Sequence, residues 1–357
     1  MIKTRTFKTI MKGCAGMTFR RGFLTFVATV GLVTPVKAGT QTVVPSAPKV
    51  ASVAASARAD MMVLTVNKTA LTAELRTWPD DPAQASLLRS FRIAIGKAEG
   101  DKEREGDNKT PEGIYFAQSH IDGKALPDKY GPLAIPLDFP NPIDAMAGKT
   151  GHGIWLHGVD RDQRIEEAKV TEGCVAFYNP DIARLSSWLR SHQGVVVIAS
   201  DEKQVNRAAD IDAVRQRTLS WMSAWGDRKI DDYMAHYSQA FRYDSYDYKG
   251  YKEYKGRVFK SYKTITLNFD NLRVVSHPKY AISFFNQDFH GDNRFSSVGR
   301  KVLYWERGAD NQWYVRREVF ENRRFESVTF TDAELALLSD QKSSISADDK
   351  DKKAPSL

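Results

Sequence analysis

Cysteine is nearly missing from this sequence: among 357 residues, only Cys14 and Cys174 carry a thiol. So few thiols exclude a disulfide framework, and no C-x-x-C or H-E-x-x-H spacing is present to hold a metal. No cofactor motif stands in for one. The apolar run Gly22–Val33 is about a dozen residues, short of the roughly 20 that a membrane-spanning helix needs. Acidic residues are absent from positions 1–38, which hold Lys3, Arg5, Lys8, Lys12, Arg20, Arg21 and Lys37. Those seven account for most of the net charge of +8. The remainder is nearly neutral, so the basic balance gives no reason to expect a nucleic-acid partner.

What the first 38 residues do contain is an export signal: a basic start, the apolar run, then Val36-Lys37-Ala38, with cleavage expected after Ala38. Arg20-Arg21-Gly22-Phe23-Leu24 resembles a twin-arginine motif, which leaves the Sec and twin-arginine routes both open. Membrane contact is then expected only during export. Cleavage removes Cys14 and leaves Cys174 as a single thiol in a compartment where paired cysteines oxidise. With polar Thr171-Glu172-Gly173 before it, Cys174 reads as a candidate nucleophile rather than a buried spectator.

Residues 151–179 concentrate the chemistry. In strand alternation Ile154 and Leu156 face one way, Trp155 and His157 the other. His157 is followed by Gly158, which permits a sharp turn. An imidazole beside a thiol can take its proton. Gly173 has no side chain, so its N–H and that of Cys174 are expected to face a developing oxyanion. Together these make a thiol acyl-transfer set.

Along the chain, 39–60 reads as a flexible linker rich in Ala, Val, Ser and Pro. Met61–Asn67 and Leu71–Trp78 alternate as a hairpin, and Phe91–Gly96 follows as a strand. Residues 100–113 form a charged, Gly-rich loop closed by a Pro-x-Gly turn. Residues 120–150 are Pro- and Gly-rich and read as a lid or a disordered loop. Asn179 is the expected N-cap of a helix with Pro180 in its first turn, and Val195–Ala199 is a buried strand. The first domain, 61–200, is therefore mainly β. A second, 208–335, begins with helices around Trp221 and Trp225, Tyr233–Phe241 and Tyr251–Tyr262. Strands follow at Ile265–Val275, Tyr280–Phe289, Ser296–Trp305 and Trp313–Phe320, an α+β plan. The tail 339–357 is too polar for a core.

Three motifs in order carry a family resemblance over roughly 61–200: Gly106-Asp107-x-Lys109-Thr110-Pro111-x-Gly113-x-Tyr115, Ile154-Trp155-Leu156-His157-Gly158, and Gly173-Cys174. They resemble the YkuD-type L,D-transpeptidase catalytic domain, a β-sandwich. The resemblance implies that Cys174 attacks the L,D bond before the terminal D-Ala of a peptidoglycan stem, with His157 as base. A thioester forms, and a periplasmic location follows. An amine acceptor then gives a crosslink; water gives a trimmed stem. Family members usually carry Ser-His-Gly-Cys with Arg or Asn two places on. Here the box is Thr171-Glu172-Gly173-Cys174 and that place is Ala176, similar to a branch with hydrolytic members. The reading therefore leans to an L,D-carboxypeptidase. The second domain resembles the cone-shaped nuclear transport factor 2-like fold, a pairing similar to cell-shape L,D-carboxypeptidases. Its expected part is to shape or extend the substrate groove, or to dock a partner.

Around the pair, Glu172, Trp155, Tyr130 and His152 are candidates for substrate contact, with Glu172 a possible orienter of His157. Lys109 and Thr110 are expected to serve the turn. A zinc site of His152, His157 and Cys174 lacks ligand spacing. A serine site from Ser200-x-x-Lys203 and Lys149-Thr150-Gly151 has its motifs in reversed order. A wall-binding module with an incidental thiol stays open.

Overall fold

The computed structural model describes residues 61–326 apart from Asp80, 190–193 and Asn293. The expected signal peptide, linker and tail lie outside the described residues, as does 327–335. The first domain comprises β1 (Met61–Asn67), β2 (Thr72–Trp78), β3 (Leu87–Gly96), β4 (Gly113–Phe116), β5 (Ile121–Asp122), β6 (Leu133–Pro136), α1 (Pro142–Met146), β7 (Trp155–His157), β8 (Lys169–Thr171), β9 (Val175–Phe177), α2 (Asn179–Trp188) and β10 (Val195–Ala199). The strands make one sheet in the order β4-β10-β1-β2-β3-β9-β7-β6-β5, with β8 paired beside β3. A bridge from Ala117 to Leu137, just beyond β4 and β6, joins its two halves. The sheet thus curls around a core that includes Leu64, Phe91, Tyr115, Leu156, Val175 and Phe177.

Local chemistry sets these elements. The β1–β2 hairpin turns where the Asn67 side-chain oxygen accepts the N–H groups of Thr69 and Ala70, at 3.0 and 2.9 Å, an Asx turn. β1 and β10 run parallel inside the sheet, and both are nearly unbroken apolar runs because both their faces are covered, so β1 does not alternate as expected. Met62, Leu64, Val66, Val196 and Ile198 fill the curled core. Met61, Val63, Val195 and Val197 join a second core, shared with the following domain.

That domain holds α3 (Ala208–Gly226), α4 (Ile230–Met234), β11 (Arg242–Tyr243), β12 (Tyr246–Asp247), α5 (Tyr248–Ser261) and the meander β13 (Ile265–Ser276), β14 (Ala281–Gly291), β15 (Phe295–Arg307) and β16 (Trp313–Glu321). Trp221 and Trp225 of α3 pack against Tyr233 and Phe269, closing the helices on the sheet as an α+β cone. Both domains belong to one compact unit. Across the seam Phe116 meets Phe284 edge-on at 5.4 Å, and the Trp78 indole N–H donates to the Val274 carbonyl at 2.9 Å.

Three expectations need correction. Residues 120–150 are ordered, because β6 pairs with β7 and so gives their backbone groups partners. The helix expected over Tyr233–Phe241 ends at Met234, and Tyr237 bridges to Val315 of β16 instead. Asn179 does not cap α2. The cap is Tyr178, without a side-chain bond, while the Asn179 amide spans both backbone groups of Val159 at 2.9 Å.

Candidate active site

β7 and β9 lie side by side in parallel, with Leu156 opposite Val175 and His157 opposite Ala176. Cys174 immediately precedes β9, so this register sets it beside Trp155. The Trp155 N–H donates to Cys174 Sγ at 3.4 Å, and Sγ donates to the Gly153 carbonyl at 3.4 Å. Ile154 and Leu156 point into the core, while His157 and Cys174 line one cleft of about 110 Å³. The strand alternation was legible in the sequence. It set which face His157 takes.

Both groups are buried, with Cys174 8% and His157 4% exposed. Burial pushes the Cys174 thiol up to about 11, against a smaller opposite pull from the Trp155 N–H. Burial likewise pushes His157 down to about 4, the Gly158 carbonyl pulling weakly the other way. His157 Nδ1 sits against that carbonyl. A carbonyl can only accept, so Nδ1 carries the proton and Nε2 keeps the basic lone pair. The resting state is thus a neutral thiol with a neutral imidazole in the base-competent tautomer.

The turn before Cys174 is tightly determined. Gly173 has φ of +123°, and a Cβ there would fall 2.7 Å from the Lys109 carbonyl oxygen, so only glycine fits. Thr171 Oγ1 donates to the Cys174 carbonyl at 2.7 Å and accepts the Gly173 N–H at 3.2 Å. Gly173 N–H is therefore engaged, contrary to the expectation that it lies free for an oxyanion. The Cys174 N–H has no partner among the described residues and remains the available donor. Thr110 serves the turn as expected: Oγ1 accepts the Gly96 N–H at 2.9 Å and reaches the Cys174 carbonyl at 3.5 Å.

Tyr130 lies 4.9 Å from Trp155 and 5.0 Å from His157, ring centre to ring centre. Tyr130 and Trp155 meet at a tilt of 56°, and Tyr130 walls the cleft beside His157. Glu172 also lines it, but its carboxylate faces Lys129 at 3.7 Å. Glu172 does not orient His157; the Gly158 carbonyl does. His152 is exposed on the segment entering β7 and does not line the cleft. Sequence reasoning missed Lys97, Lys129 and Arg164, which bring three cations to the rim. They come from three separate segments without periodicity, so only the fold reveals them. A thiol, a basic imidazole nitrogen and a backbone N–H suffice for nucleophilic acyl transfer. Among the described residues no cluster of His, Cys, Asp and Glu could hold a metal.

Comparison with known proteins identifies the two domains. Residues 63–198 match the L,D-transpeptidase catalytic domain, and residues 213–319 match the Cds6 C-terminal NTF2-like domain. The chain carries an L,D-transpeptidase catalytic domain followed by an NTF2-like domain. The chain also matches YafK of Escherichia coli (strain K12), which bears an L,D-transpeptidase name. It is 28% identical over 151 residues, 41% of this chain and 55% of YafK. The match thus spans about half of that relative. Two solved structures share the fold over both domains. Bd1075 of Bdellovibrio bacteriovorus has a TM-score of 0.62 at 23% identity, covering 76% of this chain and 94% of its own. The helical cell shape determining protein Pgp2 of Campylobacter jejuni has a TM-score of 0.61 at 22% identity, covering 73% and 92%. The cleft described above lies within the matched L,D-transpeptidase domain and is lined by both Cys174 and His157.

Proposed function

We propose that this protein is an exported L,D-carboxypeptidase, trimming the terminal D-Ala from peptidoglycan tetrapeptide stems through a thioester on Cys174. The observation that carries the reading is the shared cleft of Cys174 and His157 inside an L,D-transpeptidase domain. Substrate binding brings the carbonyl to Sγ, His157 Nε2 takes the thiol proton as the C–S bond forms, and the Cys174 N–H supports the oxyanion. The tetrahedral intermediate collapses, D-Ala leaves with that proton, and water resolves the thioester. Lys97, Lys129 and Arg164 favour the carboxylate of the leaving residue.

Water is favoured over an amine by position 176. Ala176 is fully buried and packs with Ala94, Val159 and Ile165. The Arg or Asn that the family resemblance implies two places after the cysteine is replaced there by a small apolar side chain in an apolar cluster. Cleavage after Ala38 would deliver the enzyme to the periplasm, and N-terminal sequencing of protein from the exporting cell checks it.

The activity test is mass spectrometry of purified protein with disaccharide-tetrapeptide, alongside Cys174→Ala. A monomer lighter by one alanine, absent in the variant, is the expected result. A dimer that has lost one D-Ala would make it a crosslinking transpeptidase. Unchanged substrate would leave a wall-binding module or an enzyme that detaches wall-linked proteins.

A further inference from the structure

The loop 100–113 touches the cysteine turn at one end and the accessory domain at the other. Near Cys174 its contacts are the Thr110 hydroxyl and the Lys109 carbonyl, described above. Within the loop, Asp107 accepts the N–H groups of Glu103, Arg104 and Lys109 and the Lys102 ammonium, at 2.8 to 3.1 Å. These bonds make the loop a rigid piece rather than a surface excursion. At its far end, Asp101 Oδ1 accepts the Glu112 N–H at 2.7 Å. Lys68 ties Gly100, Thr110 and Glu112 together at 2.5 to 3.0 Å.

The accessory domain enters through the turn joining β13 to β14. Lys279 Nζ meets Asp101 Oδ2 at 2.7 Å and Glu112 at 3.5 Å. Lys149 approaches the same Asp101 oxygen at 2.7 Å and Asp144 at 2.8 Å. Three cations and three carboxylates therefore interlock, and one cation belongs to the second domain. Beside it, the buried Tyr280 hydroxyl accepts the Ile114 N–H and the Asn141 amide, both at 2.6 Å. A Cβ on Gly113 would fall 2.8 Å from that hydroxyl. His277 holds the turn in shape, its Nε2 bonding the Ile198 carbonyl at 3.1 Å and its Nδ1 accepting the Lys279 N–H at 3.2 Å.

We infer that Lys279 and Tyr280 of the accessory domain are positioning residues for the cysteine, pressing the 100–113 loop against the Gly173–Cys174 turn so that Sγ and the Cys174 N–H keep their reactive geometry. This rests on the proposed thiol chemistry for its kinetic consequence but not for its mechanical one. Small displacements of reacting atoms are costly, whereas substrate contacts at the cleft rim stay in place. The loss should therefore appear in kcat rather than KM.

The test uses the full chain with Tyr280→Phe, Lys279→Met and Lys279→Arg, read by D-Ala release and by amide hydrogen exchange. The inference expects kcat to fall about tenfold in Tyr280→Phe and severalfold in Lys279→Met, with KM within about twofold. Lys279→Arg should restore most of it. Exchange should quicken at Gly173 and Cys174 as well as in the loop, with β1 and β2 unchanged. Exchange quickened only near Ile114 and Asn141, or a kcat equal to that of the parent, would overturn it. Should the parent release no D-Ala, the exchange arm alone decides, so failure of the enzyme reading and failure of the coupling stay distinct.

Discussion

Burial acts the same way on two clusters of ionisable groups in this molecule, yet the outcomes are opposite. In the cleft it drives Cys174 and His157 to their neutral forms, with only backbone groups bonded to either among the described residues. Inside the cone, burial alone would raise Glu318, but Lys301, Lys255 and the hydroxyls of Tyr251 and Tyr237 hold it down to about 2. Lys301 bonds it at 3.2 Å, and Lys255 lies over the rings of Trp225, Tyr233 and Tyr251. The cone cluster carries its own counter-charges and is complete as it stands. The cleft pair has charged groups only at the rim and none bonded to it among the described residues, so its charge separation awaits a substrate. A buried acid or base is thus a site when its partner is missing and a strut when it is present.

Mutations should separate the two roles. On the proposed mechanism Cys174→Ala abolishes D-Ala release, on the order of 10⁴-fold or more, and His157→Ala costs about 10²–10⁴-fold as a general base. Neither removes a large packed side chain, so the denaturation midpoint should move little. Glu318→Gln does the reverse. It strands Lys255 and Lys301 without a carboxylate and should cost about 3–5 kcal/mol in urea unfolding, while the folded fraction keeps its turnover. A Glu318→Gln protein of parental stability would break the distinction.

Gly173→Ala joins the two effects more mildly. A side chain at φ of +123° against the Lys109 carbonyl should cost about 1–3 kcal/mol, measured by the same unfolding, and should displace Cys174 enough to slow release. A further test comes with pH. His157 remains able to accept a proton down to about pH 4, so the acid limb of kcat/KM should lie near 4 rather than 6.5. Its folded pKa is depressed, so its stability contribution is full above about 6.5 and is lost as pH falls through about 4. His277 at the domain seam, also pushed down to about 4 by burial and then by Lys279, adds in the same direction. A stability profile flat from pH 7 to 4 would contradict both.

Much of this was legible in the residues. The alternation around His157 and the Gly173-Cys174 step pointed to the two side chains that share the cleft, because strand period and a glycine-only turn are local properties. The four-strand meander was readable for the same reason. What the sequence hid was non-local. β6 looked like a loop because its pairing partner is β7, twenty residues on. Glu172 beside the cysteine invited a role with His157, yet the bond goes to the neighbouring Gly158 carbonyl, which every residue type offers. The free Gly173 N–H failed because the Thr171 hydroxyl, two residues back, reaches it first. The double-sided apolar character of β1 and β10 made sense only once the second domain covered their outer face.

The central claim is that Cys174 becomes covalently acylated with His157 as its base. Acid-quenching the protein within seconds of mixing with disaccharide-tetrapeptide, then weighing the intact chain, tests it most directly. The account predicts a mass gain equal to the substrate less one alanine, mapped to Cys174, lost in Cys174→Ala and sharply reduced in His157→Ala. Release of D-Ala with no adduct in any variant, and undiminished in Cys174→Ala, would contradict it.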